Sequence, residues 1–246
     1  MLYKERRNEK NFCIFFILLV ACSLFAQRAA KPANKTSTDT EETTEETTEE
    51  SSELMNLLVD SFDNNDNSWT TGDDDERSIE IQNGKMTFQH KRTEGSYLVW
   101  NWSYMDGDYP FTIETSMKQT GGVDDRGYGV MWGVDNADNF YTFNISDNGF
   151  YRIGKMKEGE WTEYVGWTES YLINTYGSTN TLKLVKEGNK INFYINGTYV
   201  NQITYEDIFA DGVGYVIWRN QTLDIDYLNV YGSDDWELWW DMLDDY

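Results

Sequence analysis

Short runs of β-branched and aromatic residues, separated by turns rich in Asn, Asp and Gly, recur along most of this chain. The densest stretch is residues 127–167, in which the runs 128–134, 140–145 and 150–155 alternate with the turns 136–139 and 146–149. Runs of this length with such turns between them are typical of antiparallel β-hairpins. The pattern predicts an all-β fold.

The same alternation begins near Leu57 and continues to Val230. Asn83-Gly84 lies between two β-type runs, where it favours a tight hairpin turn. The whole chain has only 2 prolines, and within this region we expect no helix longer than a single turn at residues 206–210. The sequence therefore predicts an antiparallel β-sandwich.

The N-terminal residues 1–26 have the organisation of a signal peptide. Basic residues precede the apolar run 12–26, which is too short to span a bilayer comfortably. Cleavage after Ala26 would leave Gln27 at the mature N-terminus, with no transmembrane span in the mature chain. We expect an exported protein, extracellular or on the cell surface. In the alternative interpretation Cys22 is the lipidated residue of a bacterial lipoprotein, and the protein is then periplasmic or anchored to the outer membrane.

A Thr/Glu-rich segment, residues 27–53, follows the signal peptide. It contains the repeated EETT sequence and too few apolar residues to form a core, so we predict a disordered acidic linker. The β-sandwich is assigned to residues 54–232. Both cysteines, Cys13 and Cys22, precede it, so this domain must fold without disulfides.

The chain is strongly acidic, with a formal net charge of -23. Binding to a nucleic-acid backbone requires clustered Lys and Arg, and so does docking on anionic lipid. The charge therefore excludes nucleic acid as an expected partner.

The C-terminal residues 233–246 form an acidic, Trp-rich tail. Trp236, Trp239, Trp240 and Leu243 follow the i, i+3, i+4, i+7 spacing of one helical face. The predicted short helix either folds back over the sandwich or docks on another envelope protein, and the sequence leaves both alternatives open.

Several motifs resemble those of concanavalin A-like jelly rolls, above all the bacterial laminin-G-like group that includes the 3-keto-disaccharide hydrolase family. They span residues 57–231 and include VDSF at 59–62, GYGVMW at 127–132, NFYTFNIS at 139–146, YING at 194–197 and LDIDYLNV at 223–230. This fold carries lectins, glucanases and adhesion modules alike, so the resemblance implies the fold rather than one activity.

No motif in the chain is typical of a catalytic site. The Glu-x-Asp-x-Glu pattern that pairs two carboxylates in glucanases of this fold is missing, and the single histidine, His90, has no neighbouring triad or metal motif. We therefore expect a carbohydrate-binding or cell-surface recognition module rather than an enzyme. The alternatives are a glycoside-active hydrolase of the 3-keto-disaccharide type and a structural envelope or adhesion protein.

Strand alternation places the expected ligand site on the outer, concave face of the sheet formed by residues 127–167. If the bulky residues of each strand face the core, polar ones face outward. The predicted ligand-binding residues are Glu114, Thr142, Asn144 and Arg152, with Trp218 stacking on a sugar ring. The alternative is that these polar side chains only solvate one face of the sandwich.

Calcium is the one plausible cofactor, and the resemblance suggests it. Laminin-G-like sandwiches often hold a structural calcium between loops, and Asp60, Asp63 and Asp226 are the candidate ligands here. The alternative is that the Asp and Asn residues of residues 60–67 act only as turn formers.

Overall fold

The computed structural model describes residues 54–232. The predicted signal peptide with Cys22, the linker, and the tail with Trp236, Trp239 and Trp240 lie outside the described residues.

The described chain is built from fifteen β-strands, as the turn-separated runs predict. In chain order they are β1 (Met55–Asp60), β2 (Gly72–Asp73), β3 (Arg77–Ile81), β4 (Met86–His90), β5 (Ser96–Trp102), β6 (Phe111–Gly122), β7 (Gly127–Asn136), β8 (Asn139–Ser146), β9 (Phe150–Lys157), β10 (Glu160–Glu169), β11 (Asn180–Glu187), β12 (Lys190–Ile195), β13 (Thr198–Thr204), β14 (Gly212–Trp218) and β15 (Gln221–Gly232).

The strands form a nine-stranded and a six-stranded sheet. The nine-stranded sheet has the order β13-β12-β11-β6-β15-β4-β3-β2, and β1 also pairs with β15. The six-stranded sheet has the order β10-β9-β8-β7-β14-β5. Every pair is antiparallel, so the predicted antiparallel sandwich is confirmed.

The main core contains the bulky residues that strand alternation assigns to the inner face. On the six-stranded sheet these are Tyr128, Val130, Trp132, Tyr141, Phe143, Ile145, Tyr151, Ile153, Val213, Tyr215 and Ile217, all buried. From the nine-stranded sheet they meet Phe111, Ile113 and Met117 of β6. Because side chains alternate along a strand, this burial fixes which residues lie on the two outer faces.

The prediction of a helical turn at residues 206–210 is wrong. Residues 205–211 form an irregular connection between β13 and β14. Tertiary contacts hold this connection: Phe209 stacks on Tyr141 with 5.2 Å between ring centroids, and the Tyr141 hydroxyl donates to the Asp207 carbonyl at 2.9 Å.

No helix long and apolar enough to cross a lipid bilayer occurs among residues 54–232.

Candidate functional site

The outer face of the six-stranded sheet carries a second, smaller apolar cluster. Met131, Val134, Phe140 and Val216 are buried there, and side chains packed against them are Leu98, Trp100, Met156 and Trp218. The face predicted to be polar is therefore largely covered by the chain's own apolar side chains.

A group of three indoles surrounds a single guanidinium at one end of this face. The Arg152 guanidinium carbon lies 4.5 Å from the ring centroid of Trp161, 4.9 Å from that of Trp167 and 5.1 Å from that of Trp218. All three distances are within the range of cation–π attraction. We call Arg152, Trp161, Trp167 and Trp218 the Trp–Arg cluster.

Two glycines let the indoles lie directly on the sheet. A Cβ at Gly154 would stand 2.4 Å from the Trp161 ring, and one at Gly127 would stand 2.9 Å from the Trp167 ring. Real Cβ atoms do not approach so closely, so a larger residue at either position would displace the indole above it. Glycine thus forms the floor beneath two of the indoles.

Thr142 and Asn144, two of the predicted ligand-binding residues, lie buried on this outer face. Their exposed fractions are 1% and 0%. The Thr142 hydroxyl lies 3.2 Å from the Val130 carbonyl and 3.0 Å from Asn144 Oδ1. In the part of the chain that the structure describes, Asn144 Nδ2 has no hydrogen-bond partner. Because Asn144 pairs directly with Arg152 across β8 and β9, the arginine adjoins this amide.

Two further N–H groups of the cluster also lack a hydrogen-bond acceptor among residues 54–232. They are Arg152 Nε and Trp218 Nε1, both buried. Burial lowers the pKa of Arg152, and the negative charge of Glu163 opposes that shift. The guanidinium nonetheless remains a cation at neutral pH. The cluster therefore holds two buried N–H donors that no acceptor among the described residues satisfies.

Trp167 provides the most accessible ring of the cluster, since it is 42% exposed. Beyond the end of β10, Tyr171 and Tyr176 are 95% and 87% exposed. The segment that carries them is held in place: Ser170 N donates to the Gly149 carbonyl, and Gly177 N donates to both carboxylate oxygens of Asp147. Two exposed aromatic rings thus lie in the hydrogen-bonded segment that follows β10.

Glu114 lies on the other sheet, away from the remaining predicted ligand-binding residues. It belongs to β6 of the nine-stranded sheet, where its carboxylate accepts a 3.0 Å hydrogen bond from the Tyr227 hydroxyl and lies 3.5 Å from Lys183 Nζ. β6 precedes β7 in sequence but pairs with β11 and β15, so the chain changes sheets between β6 and β7. The structure brings together Thr142, Asn144, Arg152 and Trp218 and separates Glu114 from them.

Trp161 and Trp167 are the members of the cluster that the sequence analysis did not assign to the site. Both lie on the edge strand β10, whose pairing with β9 shifts register between Glu163 and Val165 and again between Val165 and Thr168. Simple alternation along a strand does not carry across such shifts. The two tryptophans of this edge strand, six residues apart, were the signal in the sequence that could have indicated them.

The three predicted calcium ligands do not come together. Asp60 accepts hydrogen bonds from Phe62 N at 2.7 Å, Asn67 Nδ2 at 2.8 Å and Trp69 Nε1 at 2.7 Å, and Asp226 accepts one from Ser116 Oγ. Asp63 accepts one from Ser61 Oγ. Within residues 54–232, no group of three or more His, Cys, Asp or Glu side chains could hold a metal ion. Calcium binding stays a prediction. A calcium ion would have to compete with these N–H and O–H donors for the oxygens of the three carboxylates.

No protein-family model and no curated protein matches the chain. Assignment to the 3-keto-disaccharide hydrolase group therefore stays a prediction.

Solved structures with the same fold are nonetheless similar to this chain. A galectin-like protein of unknown function from Bacillus subtilis is 10% identical with a TM-score of 0.52, over 74% of this chain and 100% of its own. A carbohydrate esterase of the Shiga toxin-encoding bacteriophage phi24B is 12% identical with a TM-score of 0.51, over 74% of this chain and 100% of its own. A xylan β-1,4-xylosidase from Bacillus halodurans C-125 is 14% identical with a TM-score of 0.51, over 70% of this chain but 38% of its own. At these identities the likeness concerns the fold alone. The described chain is a concanavalin A-like, galectin-like β-sandwich.

Proposed function

We propose that this protein is an exported glycan-binding module whose ligand stacks on the Trp–Arg cluster. The observation that carries the proposal is the convergence of Trp161, Trp167 and Trp218 on Arg152 over the glycine floor of one sheet. Aromatic rings beside a few polar groups are what a sugar site needs, because a sugar has apolar C–H faces and polar hydroxyl edges.

Each member of the cluster has a distinct role in this proposal. Trp167, which is 42% exposed, offers its ring to the C–H face of a sugar. Arg152 Nε and Trp218 Nε1 are donors for hydroxyl oxygens once side chains above them shift. Arg152 also fixes the surrounding indoles, so the platform is ordered before the ligand arrives and less entropy is lost on binding.

The test is a glycan-array screen followed by isothermal titration of the best neutral oligosaccharide. We expect Trp167→Ala to weaken binding roughly ten-fold, because it removes one stacking face. Arg152→Lys should also weaken binding, since an ammonium keeps the charge but loses the planar stack between indoles. Neither variant should lose its cooperative melting transition.

The matched control is Tyr199→Ala. Tyr199 is also a half-exposed aromatic, 53% exposed, but it lies on β13 of the nine-stranded sheet. Its loss should leave affinity unchanged. Undiminished binding by both Trp167→Ala and Arg152→Lys would place the glycan site elsewhere.

The same glycans distinguish the proposal from the hydrolase alternative. A binding module releases no product from them, whereas a hydrolase does, and chromatography of the incubated oligosaccharides shows which occurs. A structural envelope protein would neither bind nor cleave them.

A further inference from the structure

An open cleft of about 390 Å³ lies apart from the Trp–Arg cluster. It is lined by Tyr141, Lys155, Lys157, Glu206, Asp207 and Phe209, which come from β8, β9 and the connection between β13 and β14. Tyr141 belongs to the inner face of the six-stranded sheet, whereas the Trp–Arg cluster lies on the outer face. We call this feature the Glu206 cleft.

The Glu206 carboxylate is held in place by two side chains. Lys155 Nζ donates to Oε2 and forms an ion pair with it, and the Tyr164 hydroxyl donates to Oε1 at 2.6 Å. The hydrogen bond from Lys155, followed by that from Tyr164, lowers the pKa of Glu206, so the group is ionised at neutral pH. A carboxylate has about four acceptor positions, and the Glu206 side chain is 46% exposed. The carboxylate can therefore still accept hydrogen bonds from a ligand.

Aromatic rings form the other part of the cleft. Phe209 is half-buried and stacks on Tyr141 at an interplanar angle of 22°. Tyr141 in turn stacks on Trp132 at 5.5 Å, deep in the core. Lys155 Nζ lies 5.9 Å from the Tyr141 ring and 5.6 Å from the Tyr164 ring. The aromatic wall and the charged pair are thus fixed relative to each other by contacts within the protein.

The charges lining the cleft balance. Lys155 and Lys157 oppose Glu206 and Asp207, while the chain as a whole carries -23. An anionic ligand would meet two carboxylates here and the repulsion of the whole molecule. A neutral polyhydroxyl ligand is not repelled, because it carries no charge. Its hydroxyls can also donate hydrogen bonds to a carboxylate and accept them from an ammonium.

We propose that the Glu206 cleft is a second saccharide-binding site, specific for one or two neutral sugar rings. Glu206 and Lys155 bind adjacent hydroxyls, and Phe209 packs against the C–H face of the ring. The volume lies near the lower end of the ~300–1,000 Å³ typical of small-molecule sites, which suits a glycan end rather than a long chain. The site is independent of the Trp–Arg cluster, so either can bind when the other is disabled.

Ligand-observed NMR on the full chain tests this proposal. The probes are methyl glycosides of neutral hexoses and pentoses at millimolar concentration, with glucuronate as the anionic counterpart. All measurements are made in the Trp167→Ala background, which weakens the proposed outer-face site and leaves the Glu206 cleft intact. We expect saturable binding of at least one neutral glycoside and weaker binding of glucuronate.

The decisive variant is Glu206→Gln, which keeps the side-chain shape and removes the charge. It should weaken binding about ten-fold, as loss of a charge-assisted hydrogen bond does. Glu187→Gln, an exposed glutamate at the end of β11, is the matched control and should change nothing. Phe209→Leu removes the aromatic face while keeping an apolar side chain, and it should weaken binding even if Glu206→Gln disturbs folding.

Three results would overturn the proposal. They are no saturable binding of any neutral glycoside, tighter binding of glucuronate than of every neutral glycoside, and unchanged affinity in both Glu206→Gln and Phe209→Leu. Because the Trp–Arg cluster carries the same Trp167→Ala change in every sample, a loss of affinity in Glu206→Gln or Phe209→Leu relative to that background reports on the Glu206 cleft.

Discussion

At the scale of single residues, Asp147 is a buried acid with a structural task. It is 6% exposed and accepts the Gly177 N–H through both carboxylate oxygens, at 3.1 and 2.9 Å. Burial raises the pKa of Asp147 above its ordinary value of 3.8, the hydrogen bond from Gly177 opposes the shift, and the charge of Asp124 adds to it. The protonated form is therefore favoured more in the folded chain than in the unfolded one.

This raised pKa predicts the direction of a pH effect. A raised folded-state pKa contributes stability that is fully present below the unfolded pKa and is lost as pH rises through the folded pKa. Asp147→Asn removes this dependence and keeps an amide oxygen to accept from Gly177 N. The quantity to follow is the melting temperature of Asp147→Asn minus that of the unsubstituted protein. We expect this difference to become more positive as the pH is raised from about 3 to about 6. A difference independent of pH, measured by calorimetry across that range, would contradict this prediction.

At the scale of elements, the connection between β13 and β14 depends on a glycine in a neighbouring strand. Gly133 of β7 has a φ of 61°, and a Cβ there would lie 2.9 Å from Ile208 Cβ. The pairing of β7 with β8 also shifts register between Trp132 and Asn136, around this glycine. The close approach lets Ile208 pack on β7 and so positions Glu206 and Phe209 beside it.

Gly133→Ala should therefore disturb both stability and the Glu206 cleft. Gly188→Ala is the matched control, because Gly188 also has a positive φ, 53°, but has open space where a Cβ would be. We expect about 1 kcal/mol of destabilisation at Gly188, from the left-handed backbone alone. At Gly133 we expect about 1–3 kcal/mol more, from overpacking against Ile208. Urea unfolding of the two variants measures the difference, and equal losses would show that Ile208 moves aside freely.

At the scale of the whole molecule, β15 connects more strands than any other described element. It pairs with β6 along its length and with β4 and then β1 on its other side. Its last residue, Gly232, pairs with Met55 and Phe111. All strand ladders among residues 54–232 are therefore formed by residues that precede the tail.

Deleting residues 233–246 should consequently leave the sandwich folded. We expect the truncated protein to keep a single cooperative thermal transition and its near-ultraviolet circular dichroism, because every strand pair described above is retained. Loss of that transition would show that the Trp-rich tail is part of the core rather than a docking element.

The sequence by itself determined the tight turns, most of the strands and the inner faces of the strands that line the main core. Asn83-Gly84 has the left-handed backbone, with φ of 56° and 72°, that its hairpin turn requires. Tyr128, Val130 and Trp132 are in the core, as alternation predicted. These features follow from local backbone preference and from the two-residue period of a strand, both of which are written in consecutive residues.

Only the tertiary structure decided which strands are neighbours and therefore which side chains form a site. Glu114 lies on the other sheet because β6 pairs with β11 and β15, strands far from it in sequence. Trp161 and Trp167 reach Arg152 through register shifts in β10 that alternation cannot anticipate. Glu206 meets Lys155 and Tyr164 across 51 and 42 residues of chain. Pairings between strands that are distant in sequence are set by the packing of the whole sandwich, because no short stretch of sequence contains both partners.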